Sequence, residues 1–398
     1  MTRSDSGAGR LALCVAHCVG LLDLTALPLW IAALVQHHRF DTQRAGALVT
    51  LFLIGGVLAS MAAAPRFDRL VHGRRLAVAG FAVAAIVFHG MALTQDFVPM
   101  ALLHGIGGLA IGLALSMTHG TVARSANPHR LYAICGTAQG VFAVLVMATM
   151  PALMARLGSV LVFEMFAAAT LVGALVTWLL FPSPNPLPGG GREKAAGVAR
   201  LPASVWGGVV GLALMSLVQS MTFAFMERSG ADKGFSAQQV GLVLLALGIV
   251  NLLPSPAAVL LQRRVPARAV LLAAPVLQAL LAVTLFMSAS YLPFAVAASM
   301  FVAVILFAHP FGFGLLARLD PSGRILAATP AMMMTGAALG PVLGGTLVKW
   351  LGYPAVGAVA CAAAALSVFS FSRLPRSLPL THPAPEGAGL HSPKLETL

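Results

Sequence analysis

Ala123-Arg124-Ser125-Ala126-Asn127-Pro128-His129-Arg130-Leu131-Tyr132-Ala133 is a short polar break between two long apolar runs, and it has an echo in Ala317-Arg318-Leu319-Asp320-Pro321-Ser322-Gly323-Arg324-Ile325-Leu326-Ala327. In both copies one Arg closes an apolar run and a second Arg opens the next. Between the arginines lies Asn127-Pro128 or Asp320-Pro321, a turn signal that a helix does not readily cross. The apolar runs on either side match at the same offset, so the chain reads as two related halves, each a bundle of membrane-spanning helices.

Composition sets the solvent. Of 398 residues, 59% are hydrophobic and 9% are charged, far from the make-up of an average soluble domain. So much apolar surface cannot hide in one aqueous core. In lipid every backbone polar group needs an internal partner, which leaves helices or a closed barrel. Runs of about twenty residues without strict alternation favour helices. We place twelve runs near 11–36, 45–64, 76–95, 99–123, 131–155, 159–181, 202–226, 237–261, 269–289, 292–317, 325–348 and 354–372, numbered helices 1 to 12. The first is too long for a signal h-region and has no small-residue cleavage pattern after it.

A formal net charge of +13 raises the question of nucleic acid, but the distribution of the charge argues for topology. With the N-terminus inside, 19 of the 25 Lys and Arg fall on the cytoplasmic side, the bias of a polytopic membrane protein. Both termini are therefore expected in the cytoplasm, with no nucleic-acid partner. The organisation expected is a tail at 1–10, a six-helix bundle at 11–181, a Pro- and Gly-rich linker at 182–201, a second six-helix bundle at 202–372 and a disordered tail at 373–398. The Trp and Tyr residues fall near run ends, where amphipathic rings prefer the headgroup layer. Cys14, Cys18, Cys135 and Cys361 lie inside runs, as small apolar residues do.

Between helices 2 and 3 stands Pro65-Arg66-Phe67-Asp68-Arg69-Leu70-Val71-His72-Gly73-Arg74-Arg75. An acidic-basic pair followed by Gly-Arg-Arg at this place resembles the signature loop of the major facilitator superfamily, with two extra residues between Asp68-Arg69 and Gly73. The resemblance covers about residues 11–375. It implies two six-helix halves, secondary transport without a nucleotide or other cofactor, a monomer in the bacterial cytoplasmic (inner) membrane, and a charge relay of Asp68 and Arg74 against neighbouring helix ends. Arg69, Gly73 and Arg75 complete that loop. Helix 11 carries Gly336, Gly340, Pro341 and Gly344, which resembles the glycine-proline antiporter motif that the superfamily places in helix 5. The plainer reading is close packing with a Pro bend.

Few residues in the runs can carry chemistry. Asp23 lies near the middle of helix 1 and Glu164 in helix 6, with Glu227 at the edge of helix 7. An ionised carboxylate at mid-bilayer costs about 2.5–3.5 kcal/mol on insertion scales. It therefore needs a partner, a watery cavity, or a proton. Asp23 is the candidate proton or substrate site, and Glu164 either a second proton site or a snorkelling group. No Lys or Arg is expected at mid-depth, and carriers of phosphate esters or dicarboxylates use such a cation. His104, Gln139, Gln219, Asn251 and His309 are the candidate substrate contacts, although each such residue is more often an interhelical hydrogen bond than a ligand contact. Cys14, His17 and Cys18 bring soft-metal ligand types close together, but no fourth ligand is visible and no metal site is assigned. No nucleophile elbow, P-loop, His-Glu-x-x-His or dinucleotide fingerprint is present. The expectation is proton-coupled export of an amphipathic or cationic compound. Proton-symport uptake of a nutrient is the alternative, and metal or metallophore transport, a membrane enzyme and a non-transporting receptor are minor ones.

Overall fold

The computed structural model describes residues 4–40, 42–69, 72–185 and 203–375, and is all-helical among them. The expected linker from 186 on and the C-terminal tail from 376 on lie outside the described residues. Eleven helices are long and apolar enough to cross a membrane. The twelfth span is helix 1, which is broken: Gly7–Gly20, Leu22–Thr25 and Leu27–Gln36. Leu21 and Ala26 leave helical geometry at φ −112° with ψ near 20°. Pro28 opens the third segment, and its missing N–H cannot continue the hydrogen-bond ladder.

Helix 2 spans Thr42–Ala63 and runs into a 3₁₀ turn at Ala64–Arg69. Helices 3, 4, 5 and 6 follow at Gly73–Leu93, Phe97–Ala123, Pro128–Leu157 and Leu161–Leu180. In the second half, helix 7 is continuous over Ala203–Asp232, while helix 8 breaks into Ala237–Val250 and Pro254–Leu261. Helices 9 and 10 span Ala267–Met287 and Tyr291–Leu319. Helix 11 begins with a turn at Arg324–Ala327 and continues over Thr329–Leu351, and helix 12 is Tyr353–Ser372.

The repeated arginine stretches are built alike. The Asn127 side chain caps helix 5 by accepting from Arg130 N at 3.0 Å. The Asp320 carboxylate accepts from Ser322 N at 3.2 Å and from Ile325 N at 2.8 Å. In each copy the Asx before proline satisfies N–H groups that the next helix start leaves open. Both loops lie on one face, here called the arginine face. The N-terminal segment joins them there, since Asp5 accepts from Ala126 N at 3.1 Å and from Asn185 Nδ2 at 3.1 Å.

Contact between the halves concentrates toward this face. Ser60 of helix 2 donates to Ala327 O at 3.1 Å and accepts from Ala331 N at 3.3 Å. The 3₁₀ turn packs on the Arg324–Ala327 turn. Gly323, at φ +80°, sits so near helix 4 that a Cβ there would meet Gly120 O at 2.8 Å. Across the other seam His129 Nε2 donates to Ala258 O at 3.1 Å, and helix 5 packs on the second segment of helix 8 and on helix 10. The arginine face is closed.

Two aromatics depart from the sequence reading. Trp30 is no interface ring: it is fully buried, stacked on His104 and edge-on to Phe52, Phe88 and Phe166. Tyr132 is likewise buried and donates to His119 O at 3.0 Å. Both rings face inward because the helices that carry them pack those faces on neighbours, which run position does not reveal. Trp178, Trp206 and Trp350 are exposed, as interface rings should be.

Candidate functional site

The break in helix 1 is where the buried chemistry gathers. Asp23 lies in the short Leu22–Thr25 segment and is 4% exposed. Thr25 Oγ1 donates back to Leu21 O at 2.9 Å, so the hydroxyl satisfies a carbonyl beside the break. The same Thr25 Oγ1 accepts from Gln139 Nε2 of helix 5. Gln139 is thus brought to the segment that holds Asp23. Asn251 sits in the break of helix 8, where its Oδ1 is buried without a hydrogen-bond partner. A Cβ at Gly140 on helix 5 would come within 3.5 Å of the neighbouring Leu252 side chain. Helix 5, with Gln139 facing one way and Gly140 the other, therefore runs between the two broken helices.

The remaining candidates separate. Gln219 accepts from Gln278 Nε2 at 3.3 Å, and Gln278 also donates to Met215 O at 3.2 Å, so this pair ties helix 9 to helix 7. His104 is fully buried under Trp30, its Nδ1 donating to Met100 O at 2.8 Å. It belongs to the aromatic core of the first half. Glu164 is 41% exposed at the side chain and pairs with His89 Nδ1 at 3.0 Å. That pair joins the first turn of helix 6 to the C-terminal part of helix 3, at the end remote from the arginine face.

His309 stacks on Phe313 with ring centroids 5.1 Å apart, and its Nε2 is buried without a partner. His17 of helix 1 is within electrostatic reach of it. Sequence reading placed His17 among soft-metal ligands, but its Nδ1 is 3.0 Å from Nε2 of His119 in helix 4. Cys14 turns elsewhere, its Sγ 3.5 Å from Cys135 Sγ. Among the described residues no three His, Cys, Asp or Glu converge as metal ligands. His119 is 1% exposed and was missed. The signal was present: a lone His in an apolar run of helix 4, with the same standing as His104.

The signature loop meets the end of helix 4. Arg124 donates to Asn185 O, and burial pulls its guanidinium below the usual range while the nearby Asp68 carboxylate opposes that pull. Asp68 thus lies beside the end of helix 4, whereas Arg74 and Arg75 are exposed. A crevice of about 350 Å³ also opens on this face, lined by Asn127, His129, Arg263, Arg264 and Arg318 among others. On helix 11, Gly336 and Gly340 serve contact with helix 7: a Cβ at Gly340 would lie 2.6 Å from Met221 N, and Ser220 Oγ donates to Gly336 O at 3.0 Å.

Two six-helix halves closed at one face and a carboxylate in a broken central helix define a secondary-transporter class of fold. Comparison bears this out. The sequence profile of the Major Facilitator Superfamily matches residues 13–317, and the chain belongs to that family. It resembles the solved transporter FucP in the outward conformation, with TM-score 0.73 at 15% identity, over 91% of this chain and 97% of that one. The proton:xylose symporter XylE bound to 6-bromo-6-deoxy-D-glucose gives 0.72 at 14% identity, over 92% and 95%. The human organic anion transporter MFSD10 gives 0.67 at 15%, over 92% and 99%. Such identities speak for the fold alone. Sequence comparison with curated proteins gives no match.

Proposed function

We propose that this multi-pass membrane protein couples proton movement to transport of a small organic solute, with Asp23 as the coupling carboxylate. One observation carries the reading: Asp23 is buried at the unwound centre of helix 1, and no Lys or Arg is buried among the described residues. Unwinding exposes backbone polar groups to whatever occupies the centre. A carboxylate at that centre is the group that a proton or a cationic solute neutralises. We place the arginine face in the cytoplasm on the positive-inside bias. Closure at that face then makes this the outward-facing state.

Export of an amphipathic or cationic compound is the favoured direction, because the buried groups supply a negative site and aromatic surface but no cation for an anionic solute. Uptake by proton symport is the second reading, supported by the likeness to two proton symporters, FucP and XylE.

The test begins with a thermal-shift screen of purified protein against organic cations, sugars, amino acids and carboxylates. Hits go into proteoliposomes with an imposed pH gradient and no nucleotide. Accumulation or release that follows the gradient is expected. Chemical conversion of the compound, or a strict requirement for ATP, overturns the reading. Impermeant thiol labelling of single cysteines should reach position 96 or 233 from outside intact cells and position 73 only from inside.

A further inference from the structure

We propose that His17 and His119 form a proton relay between the central site and the arginine face, a role that rests on the proton-coupled reading above. The pair sits where such a relay must be. His17 lies six positions before Asp23 on helix 1, toward the arginine face, and His119 lies four residues before the end of helix 4 at that face. Between Nδ1 of His17 and Nε2 of His119, 3.0 Å apart, there is room for one shared proton. Each neutral imidazole carries one N–H and one lone pair. With His17 protonated at Nδ1, His119 accepts at Nε2 and carries its own proton on Nδ1.

That arrangement conducts. His17 keeps 8% of its surface exposed, and its Nε2 lone pair takes a proton arriving from the Asp23 side. The Nδ1 proton of His17 passes to Nε2 of His119. The Nδ1 proton of His119 then leaves. One proton enters, one shifts and one departs, and ring rotation resets the tautomers. The exit nitrogen is the informative one: His119 Nδ1 is buried and has no hydrogen-bond partner. A buried imidazole nitrogen left unsatisfied is costly, and the residue that follows His119 packs on the closed gate. A Cβ on the adjacent Gly120 would lie 2.6 Å from the Phe67 ring, and Gly323 of the opposite half closes on Gly120 O. Parting the two arginine loops would uncover His119. The relay's exit is therefore shut in the present state and opens with the face.

Helix 1 adds Cys14 and Cys18, helix 5 adds Tyr132 and Cys135, and helix 10 adds His309, whose Nε2 is buried without a partner. The loops beyond contribute Asp68, Arg124, Arg324 and His129. Arg44, His89, Glu164, Arg156 and Lys349 sit at the opposite helix ends.

Full-length protein with ¹⁵N-imidazole histidine, in lipid nanodiscs, is titrated with protons alone and read by solid-state NMR. Two coupled ring signals should exchange tautomer together between about pH 5 and about pH 8, and His119→Gln should leave the His17 signal uncoupled. Fixed tautomers for both rings over that range, or independent titration, overturns the relay. The wild-type spectrum decides even if the variant does not fold. Asp23→Asn should leave the coupled signals in place. A lost relay and a failed Asp23 assignment are thus told apart.

Discussion

Helix 1 and helix 7 are counterparts in the repeat, yet one is broken twice and the other runs unbroken from Ala203 to Asp232. The buried groups follow the same division. The first half buries Asp23, His17, His104 and His119 within its spans, whereas the second half buries hydroxyls and Gln278 there. Helices 5 and 11 show the asymmetry again. The helix 11 glycines close on helix 7 of their own half, while Gly136 and Gly140 of helix 5 face Ser255 and Leu252 of the other half. The duplicated plan has specialised. The first half buries more titratable side chains, and the second adds His309, whose Nε2 is buried without a partner.

The largest effect is expected at Asp23. Asp23→Asn keeps volume but removes the proton, and gradient-driven transport should vanish while downhill exchange of the screened solute survives. Asp23→Glu should keep part of the activity. Full gradient-driven transport by the Asn variant would erase the difference between the halves. If the variants lose expression together, a buried partner has been stranded, and the residue is structural.

Next come the glycines. Gly340→Val inserts side-chain volume against Met221 N and should cost about 1–3 kcal/mol, read as a lower unfolding temperature. Gly136→Val instead pushes helix 5 from Ser255, where a Cβ would already stand 2.7 Å from the hydroxyl oxygen. It should separate the arginine face, seen as longer spin-label distances between positions 74 and 264. Equal loss of stability with no change in distance would mean that both glycines merely pack.

Ser60→Ala is a milder probe of the same closure. It removes the hydroxyl bridging Ala327 O and Ala331 N, worth about 0.5–1.5 kcal/mol net. It should shift the same distance distribution toward the open form by up to roughly tenfold in population. Smallest of all is Glu164→Gln. Its half-exposed pair with His89 is worth about 0–1 kcal/mol, and transport should be unchanged. A loss of coupling there would return Glu164 to the proton path.

Much of the fold was legible because lipid imposes a simple rule. Long apolar runs must be helices, and arginines between them must mark ends. The repeat was readable from Arg124, Arg130, Arg318 and Arg324, and the structure builds both stretches on an Asx cap. Asp23 was readable as a carboxylate where a carboxylate is costly. The break around it was less so, although Pro28 is a local signal for its outer boundary. The pairing of His119 with His17 and the true setting of Trp30 were illegible for a different reason. In an apolar run, every face of a helix is written in the same residues.

By itself, then, the sequence determined that this chain spans a membrane in two related halves, with one carboxylate in its central helix. Helix number follows from hydropathy, which is a property of single segments. Tertiary structure alone decided that His17 meets His119, that Gln139 reaches the Asp23 segment, that His104 belongs to the aromatic core, and that the arginine face is shut. Each of these depends on the rotation of one helix against another and on which end of the interface closes. Apolar contact with lipid leaves that rotation nearly free of hydrophobic preference, and close packing of small residues and paired polar groups fixes it.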